Sequence, residues 1–361
     1  MEAASHRRKK VAAIVTEYRL NAHAEVIIGR LLGKLGYRPQ VEVSALYLDQ
    51  MPPNDLGLAE ASAAGVPVVR TIAEAITSDT DAVLLIGEHG DYPWNAKRQK
   101  LYPRRRFFEE TFRALDRLQL RVPIFNDKHL ACGINDADWI YQGLRARALP
   151  FLGGSSIPHV PHVPRIDRSL LAAPSAIFVI SWLGIESYGY HGMEVLQSLA
   201  EQRDGGETGI VSVQALEGRA VWSAMDRGEV PEELMLSALG AASEELPGHP
   251  RDHVDVPVLF IIDYADGLKG YVLQLQRFVR EWTFAIRDRE GHIASARCDS
   301  DQERPYRHFE TLTRLIEQTV LTGASPVPLE RTYLTSQMIN FGMESLAAGK
   351  PMETPRLRLR Y

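Results

Sequence analysis

Two uninterrupted apolar runs, Val11-Ala12-Ala13-Ile14-Val15 and Ala82-Val83-Leu84-Leu85-Ile86, limit most what this chain can fold into. A strand with one face in water alternates polar and apolar side chains. A continuous apolar run of this length instead suits a strand covered by helices on both faces of a parallel sheet. The intervening segments supply such helices. From His23 to Leu35 the residues Val26, Ile27, Leu31, Leu32 and Leu35 recur at helical spacing, and Gly36 offers a stop. Val41 to Leu48 reads as a second strand, and Leu56 to Ala64 as a short helix. Val66 to Val69 is a short extended segment that Pro67 confines to a sheet edge. A helix at Ile72 to Ile76, another at Phe107 to Leu118, a strand at Val122 to Phe125 and a helix at Trp139 to Ala148 continue the alternation.

This pattern predicts an α/β protein whose residues 1–152 form a Rossmann-like, doubly wound parallel sheet of the nucleotide-binding type. Gly153-Gly154 and the loop Ser155 to Arg165, with Pro158, Pro161 and Pro164, mark a boundary. Residues 153–361 change character. Strands at Ala176 to Trp182, Ile210 to Leu216, Val256 to Tyr264, Tyr271 to Val279 and Glu281 to Arg287 follow in succession. They predict an α+β domain with an open, mainly antiparallel sheet. Helices at Gly192 to Gln202 and Tyr306 to Leu321 are expected against that sheet, and a last helix at Thr332 to Ala348 ends at Gly349. Two domains also suit 361 residues, more than one hydrophobic core usually serves.

Charge and cysteine usage exclude several classes. A formal charge of -5 gives no general attraction for phosphate backbones, so nucleic acid is not an expected partner. The run His6-Arg7-Arg8-Lys9-Lys10 reads as a solvated N-terminal tail, and Arg104-Arg105-Arg106 as a solvated helix start, with an anionic substrate as the alternative for the second. Cys132 and Cys298 are too few for a disulfide framework and point to a reducing, cytoplasmic compartment. Val11 to Val15 is shorter than a signal-peptide core, and no run approaches the ~18 apolar residues of a membrane span.

In open parallel sheets ligands bind beyond the carboxyl ends of the strands. The first strand here runs into Glu17, Tyr18, Arg19, Asn21 and His23, the fourth into Glu88, His89, Asp91 and Tyr92, and the fifth into Asn126, Asp127, Lys128 and His129. Each taken alone suits a helix cap or a hydrated loop, but three polar strand ends mark a crevice. A fourth group, Glu186-Ser187-Tyr188-Gly189-Tyr190-His191, follows a strand in the second half. His191 at that strand-to-helix corner is a candidate acid–base residue or metal ligand, or else a histidine stacked on Tyr188 or Tyr190. The polar groups of both halves are expected to face one cavity.

In this order the residues resemble the glucose-fructose oxidoreductase, inositol dehydrogenase and MocA (Gfo/Idh/MocA) family, a Rossmann domain followed by an open-faced α/β domain. Asp127-Lys128-His129 is similar to that family's Glu-Lys-Pro motif, which supplies a catalytic lysine. Ser187-Tyr188-Gly189-Tyr190-His191 is similar to its Asp-x-x-x-His motif, with Ser187 for the aspartate and neighbouring Glu186 as a substitute acid. Gly87-Glu88-His89-Gly90-Asp91-Tyr92-Pro93 and Arg331-Thr332-Tyr333-Leu334-Thr335 resemble an uncharacterised branch of the family. The resemblance implies an oxidoreductase moving hydride between NAD(P) and a sugar-like or polyol substrate, in a homo-oligomer, a dimer or tetramer.

On that reading Lys128 polarises or deprotonates the hydroxyl and His191 relays its proton, with Tyr188 and Glu186 beside them. Glu17, Arg19, Asp49 and His89 would border the dinucleotide, and Asp91, Tyr92, Asp127, His129, Ser155 and Ser156 the substrate. The first turn departs from the dinucleotide fingerprint: Thr16 to Ile28 holds no glycine, and Glu17 sets a negative charge where two phosphates would lie unless Arg19 offsets it. The competing expectation is therefore a lyase, isomerase or hydrolase that has lost the dinucleotide. A divalent metal on His89, Asp127, His129, Glu186 and His191, with Glu17 beside them, is one form that it could take.

Overall fold

The computed structural model describes residues 7–301 and 303–361; His6 of the basic N-terminal run lies outside them. The chain divides into two compact units. The first comprises the chain up to Pro93, Lys100–Ser156 and Asp301–Thr332, and the second Trp94–Gln99, Ile157–Ser300 and Tyr333–Tyr361.

The first unit holds a six-stranded sheet of β1 (Lys10–Val15), β2 (Glu42–Leu48), β3 (Val68–Val69), β4 (Ala82–Ile86), β5 (Ile124–Asp127) and β6 (Phe151–Gly154), in the order β3-β2-β1-β4-β5-β6 and parallel throughout. This is the doubly wound order, with its reversal between β1 and β4. The two apolar runs that predicted covered strands are buried along their whole length, and β3 with its proline neighbour lies at the edge. The glycine pair was expected to open a linker but instead belongs to β6. A Cβ on Gly153 would lie 2.7 Å from the Phe151 ring and 2.9 Å from Thr332 Cγ2, so close packing rather than looping requires glycine there. Arg7 and Lys9 reach Asp81 and Lys10 reaches Asp79, so the basic run, though exposed, is clipped to the approach to β4.

The expected break after residue 152 made no provision for residues 301–332 returning to the first unit. Their helix, Arg307–Thr322, is not laid against the second sheet as its position in the sequence suggested. Phe309, Leu312, Ile316 and Val320 form one face at helical spacing and join the core under β1, β2 and β4. Polar contacts fix the docking. Glu317 accepts from the Tyr37 hydroxyl and the Gln40 backbone at 2.6 Å each, and Arg304 grips Glu25 at 2.6 Å. The sequence showed a helix here but could not name the core that it joins.

In the second unit an eight-stranded sheet runs β14-β9-β10-β11-β8-β12-β13-β7, built from β7 (His162–Val163), β8 (Pro174–Ser181), β9 (Ile210–Glu217), β10 (Val258–Tyr264), β11 (Lys269–Gln274), β12 (Thr283–Asp288), β13 (Ile293–Cys298) and β14 (Met352–Glu353). Only β8 and β11 pair in parallel, so the sheet is mainly antiparallel, as expected. Helices Arg219–Asp226 and Glu232–Leu239, which the sequence reading passed over, supply Val221, Trp222, Leu234 and Met235 to its core. The helix Ser187–Ala200 begins earlier than expected, so His191 lies within it rather than at a corner. Among the described residues no helix is long and apolar enough to cross a membrane.

Replacing Ile316, which is 1% exposed in the first unit's core, by alanine should cost about 2–5 kcal/mol in urea unfolding of the full chain. A change under about 0.5 kcal/mol would mean that the Arg307–Thr322 helix does not pack as described.

Candidate active site

The turn after β5 places the candidate lysine. Asn126 is buried, and its side-chain amide donates to the carbonyls of Lys128 and His129 at 3.2 Å each, which tightens the turn. Lys128 adopts a left-handed φ of 71°, a conformation costing a non-glycine residue roughly 1–2 kcal/mol, and its N–H donates to the Gly154 carbonyl at 3.0 Å. The side chain is thereby kept inside: Lys128 is 4% exposed.

Glu88 and Arg104 form its electrostatic surroundings. Arg104 Nη2 donates to Glu88 Oε2 at 2.7 Å, both side chains are buried, and the Thr16 hydroxyl donates to the Glu88 carbonyl at 2.6 Å. Burial alone would raise the Glu88 carboxyl, but the Lys128 and Arg104 cations outweigh it and hold the pKa at about 2. Burial lowers the Lys128 amine from its ordinary value, Arg104 adds to that, and Glu88 and Asp127 oppose it. His129 is held well below the usual histidine range by burial and by Arg104, whose Nη1 lies 3.5 Å from its Nε2.

Arg104 corrects the reading of Arg104-Arg105-Arg106 as a solvated helix start. Successive residues on a helix point about 100° apart, so the three arginines diverge. Arg104 heads the buried stripe Phe107, Phe108, Thr111, Phe112 and Leu115, Arg105 stacks over Trp139 at 3.6 Å, and Arg106 turns to Asp49. The stripe itself, read one turn back from Phe107 and Phe108, was the signal available in the sequence.

A second pair joins the ends of β1 and β5. His23, the first residue of its helix, pairs through Nδ1 with Asp127 Oδ2 at 2.7 Å, which fixes the ring's orientation. His89 lies edge-on to His23 at 5.2 Å. Burial, then the neighbouring His23, pulls His89 down to about 3, and its Nε2 is buried with no hydrogen-bond partner among the described residues. His23 was seen as a strand-end residue, but its pairing with Asp127, distant in sequence, carried no sequence signal. Ser155 and Ser156 are buried directly after β6.

The expected cofactor-side residues are largely engaged with one another. Asp49 accepts from the Tyr47 and Tyr92 hydroxyls at 2.7 Å each and from Arg106. Burial would raise its carboxyl, but these hydrogen bonds and the arginine charge hold it below the usual range. Glu17 is matched by Arg19 at 2.6 Å, and the Asn21 N–H, at the turn where a pyrophosphate would be bound, donates to Glu25 at 3.1 Å. Tyr92 is therefore directed to Asp49, and Asp91 has an exposed side chain and a backbone tied to Gln50. These residues do not fit a dinucleotide held in the ordinary way. The metal reading also lacks support. Among the described residues, the first unit by itself brings no three His, Cys, Asp or Glu donors within 4.8 Å of one another, and in the second unit only Asp288, Glu290 and His292 do so.

In the second unit Tyr188 stacks on Trp282 with a 5.8 Å centroid separation, and His191 meets the same two rings edge-on at 5.9 and 5.3 Å. Glu186, just before the helix, accepts from Gln99 at 2.8 Å. Ser187, where the resembling motif has aspartate, opens the helix. Among the residues that the sequence did not single out, Gln274 lines a cleft of about 330 Å³ together with Leu183, Gly184 and Val258.

No family model matches the sequence, and no curated protein matches it either. Solved structures do match across the whole chain. GenD2 from gentamicin A biosynthesis, determined in complex with NAD, superimposes with a TM-score of 0.63 at 14% identity, covering 98% of this chain and 99% of that one. A putative myo-inositol dehydrogenase from Sinorhizobium meliloti 1021 gives 0.59 at 14% identity over 96% and 99% of the two chains. The scyllo-inositol dehydrogenase of Lactobacillus casei, solved with NAD(H) and scyllo-inositol, gives 0.60 at 12% identity over 96% and 99%. At such identities the likeness is one of fold: a parallel Rossmann-like sheet and a second mixed-sheet domain, as in dehydrogenases.

Proposed function

We propose that this chain is an enzyme of the Gfo/Idh/MocA type that acts at a hydroxyl-bearing carbon of a sugar-like or polyol substrate. The observation that carries the reading is Lys128, a buried amine aimed by a left-handed turn at the end of β5 and balanced between Glu88, Asp127 and Arg104. Desolvation makes its neutral form accessible, and a neutral amine beside a carboxylate can take a hydroxyl proton and return it. His23, oriented by Asp127, offers a second acid–base group in the same unit. His191, with Tyr188 and Glu186, keeps the relay role that the resemblance implies, as does the homo-oligomer.

The full-length likeness to inositol dehydrogenases supports an oxidoreductase. A second reading, a lyase or isomerase working by proton transfer alone, is favoured by the glycine-free first turn and by an Asp49 already engaged by Tyr47, Tyr92 and Arg106.

Incubation with inositols and related sugars in deuterated water, followed by proton NMR, separates the two. Oxidation that requires added NAD+ or NADP+ supports the oxidoreductase. Conversion or deuterium uptake without either supports the second reading, and an unchanged panel of polyols overturns the proposal. Whichever reaction is found, Lys128→Ala should lower kcat by roughly 10²–10⁴-fold with the fold intact by circular dichroism. Near-normal turnover would remove Lys128 from the mechanism. Because burial favours the neutral amine, kcat/KM should rise with pH through a limb lying below the ordinary lysine value of about 10.4. A limb at or above that value would contradict a desolvated Lys128.

A further inference from the structure

In a sheet of this order the adenosine half of a dinucleotide lies over the ends of β1 and β2, with the acid after β2 on the ribose. That region is spanned by the chain itself. The Gln50 side chain, two residues beyond β2, makes a two-point clamp on the loop after β4: its Oε1 accepts from the Asp91 N–H at 2.8 Å and its Nε2 donates to the Asp91 carbonyl at 2.9 Å. The Gln50 N–H also donates to the Thr16 carbonyl at 2.8 Å, so the clamp is anchored to the end of β1, which it crosses. One residue further along the same loop, the Tyr92 hydroxyl reaches Asp49, whose other oxygen is taken by Tyr47 and Arg106.

The loop is shaped for this closure. Gly90 has a φ of 102°, and a Cβ there would lie 2.6 Å from the Tyr92 ring and 3.0 Å from Gln50 Oε1, so a side chain would push both closing residues aside. Tyr92 is steadied by the edge of Tyr102 at 5.7 Å. A ribose seeking Asp49 would have to displace a tyrosine hydroxyl and compete with a guanidinium, and an adenine would have to part the clamp. Nothing at the first turn repays that cost, because no glycine admits a pyrophosphate to the backbone and the Asn21 N–H is already used.

We propose that Gln50, Tyr92 and Arg106 close the adenosine half of the crevice against the ends of β1 and β2, so that this unit takes a small polar substrate without a dinucleotide. The inference rests on the proposed action on a polyol and narrows it to its second reading.

Calorimetric titration of the full chain with NAD+, NADH, NADP+ and NADPH tests the closure, with hydrogen exchange at the Asp91 amide as a measurement that needs no ligand. The expected result is no dissociation constant below about 1 mM for any dinucleotide, and an Asp91 amide slowed by roughly tenfold or more that loses its protection in Gln50→Ala. Micromolar binding of any of the four would overturn the closure and leave the oxidoreductase reading standing. An unprotected Asp91 amide in the unaltered chain would overturn it as well, by showing the clamp open in solution. Failure of every polyol to react would defeat the proposed function while leaving the closure intact, so the two cannot be confused.

Discussion

The buried pair between Arg104 and Glu88 is the interaction on which the candidate site depends. A guanidinium taken out of water is costly unless a carboxylate meets it, and here the same carboxylate also faces the Lys128 amine. Glu88 is thus shared between two cations. One carboxylate keeps Arg104 tolerable in the interior and also sets how readily Lys128 gives up its proton. The arrangement draws on the loop after β4, the start of the helix Arg104–Leu118 and the turn after β5, so any loosening among these elements alters the chemistry of the lysine before it alters the fold.

How far the sequence could be read depended on the range of the interaction concerned. Covered strands announce themselves locally, and Val11 to Val15 and Ala82 to Ile86 needed only their own five residues each. The polar strand ends were equally visible, as was the position of Lys128. What stayed hidden was pairing between distant residues: His23 with Asp127, Glu88 with Arg104, and Asp49 with Tyr92 and Arg106. Three adjacent arginines look like one cationic patch in a line of text, whereas helical rotation sends them to three different environments. Glycines misled in the opposite sense. Gly153 and Gly154 read as slack, but they end a strand too crowded for a β-carbon at Gly153.

The solved structures with this architecture share about one residue in eight with the chain, so the likeness is one of topology and does not by itself assign a cofactor site. What they share with this chain is the fold, a parallel Rossmann-like sheet followed by a mixed-sheet domain. At the first turn this chain sets Glu17, Arg19 and His23 side chains where the dinucleotide fingerprint has glycines.

The return of residues 301–332 to the first unit has a consequence for biosynthesis. A chain emerging amino-terminus first presents β1 to β6 long before Phe309, Leu312, Ile316 and Val320 exist to cover them. The nascent first unit must therefore wait, with part of its apolar surface bare, until residues 301–332 leave the ribosome. Its maturation is then coupled to synthesis through residue 332, and products ending before that point would be left sticky and suited to capture by chaperones or proteases.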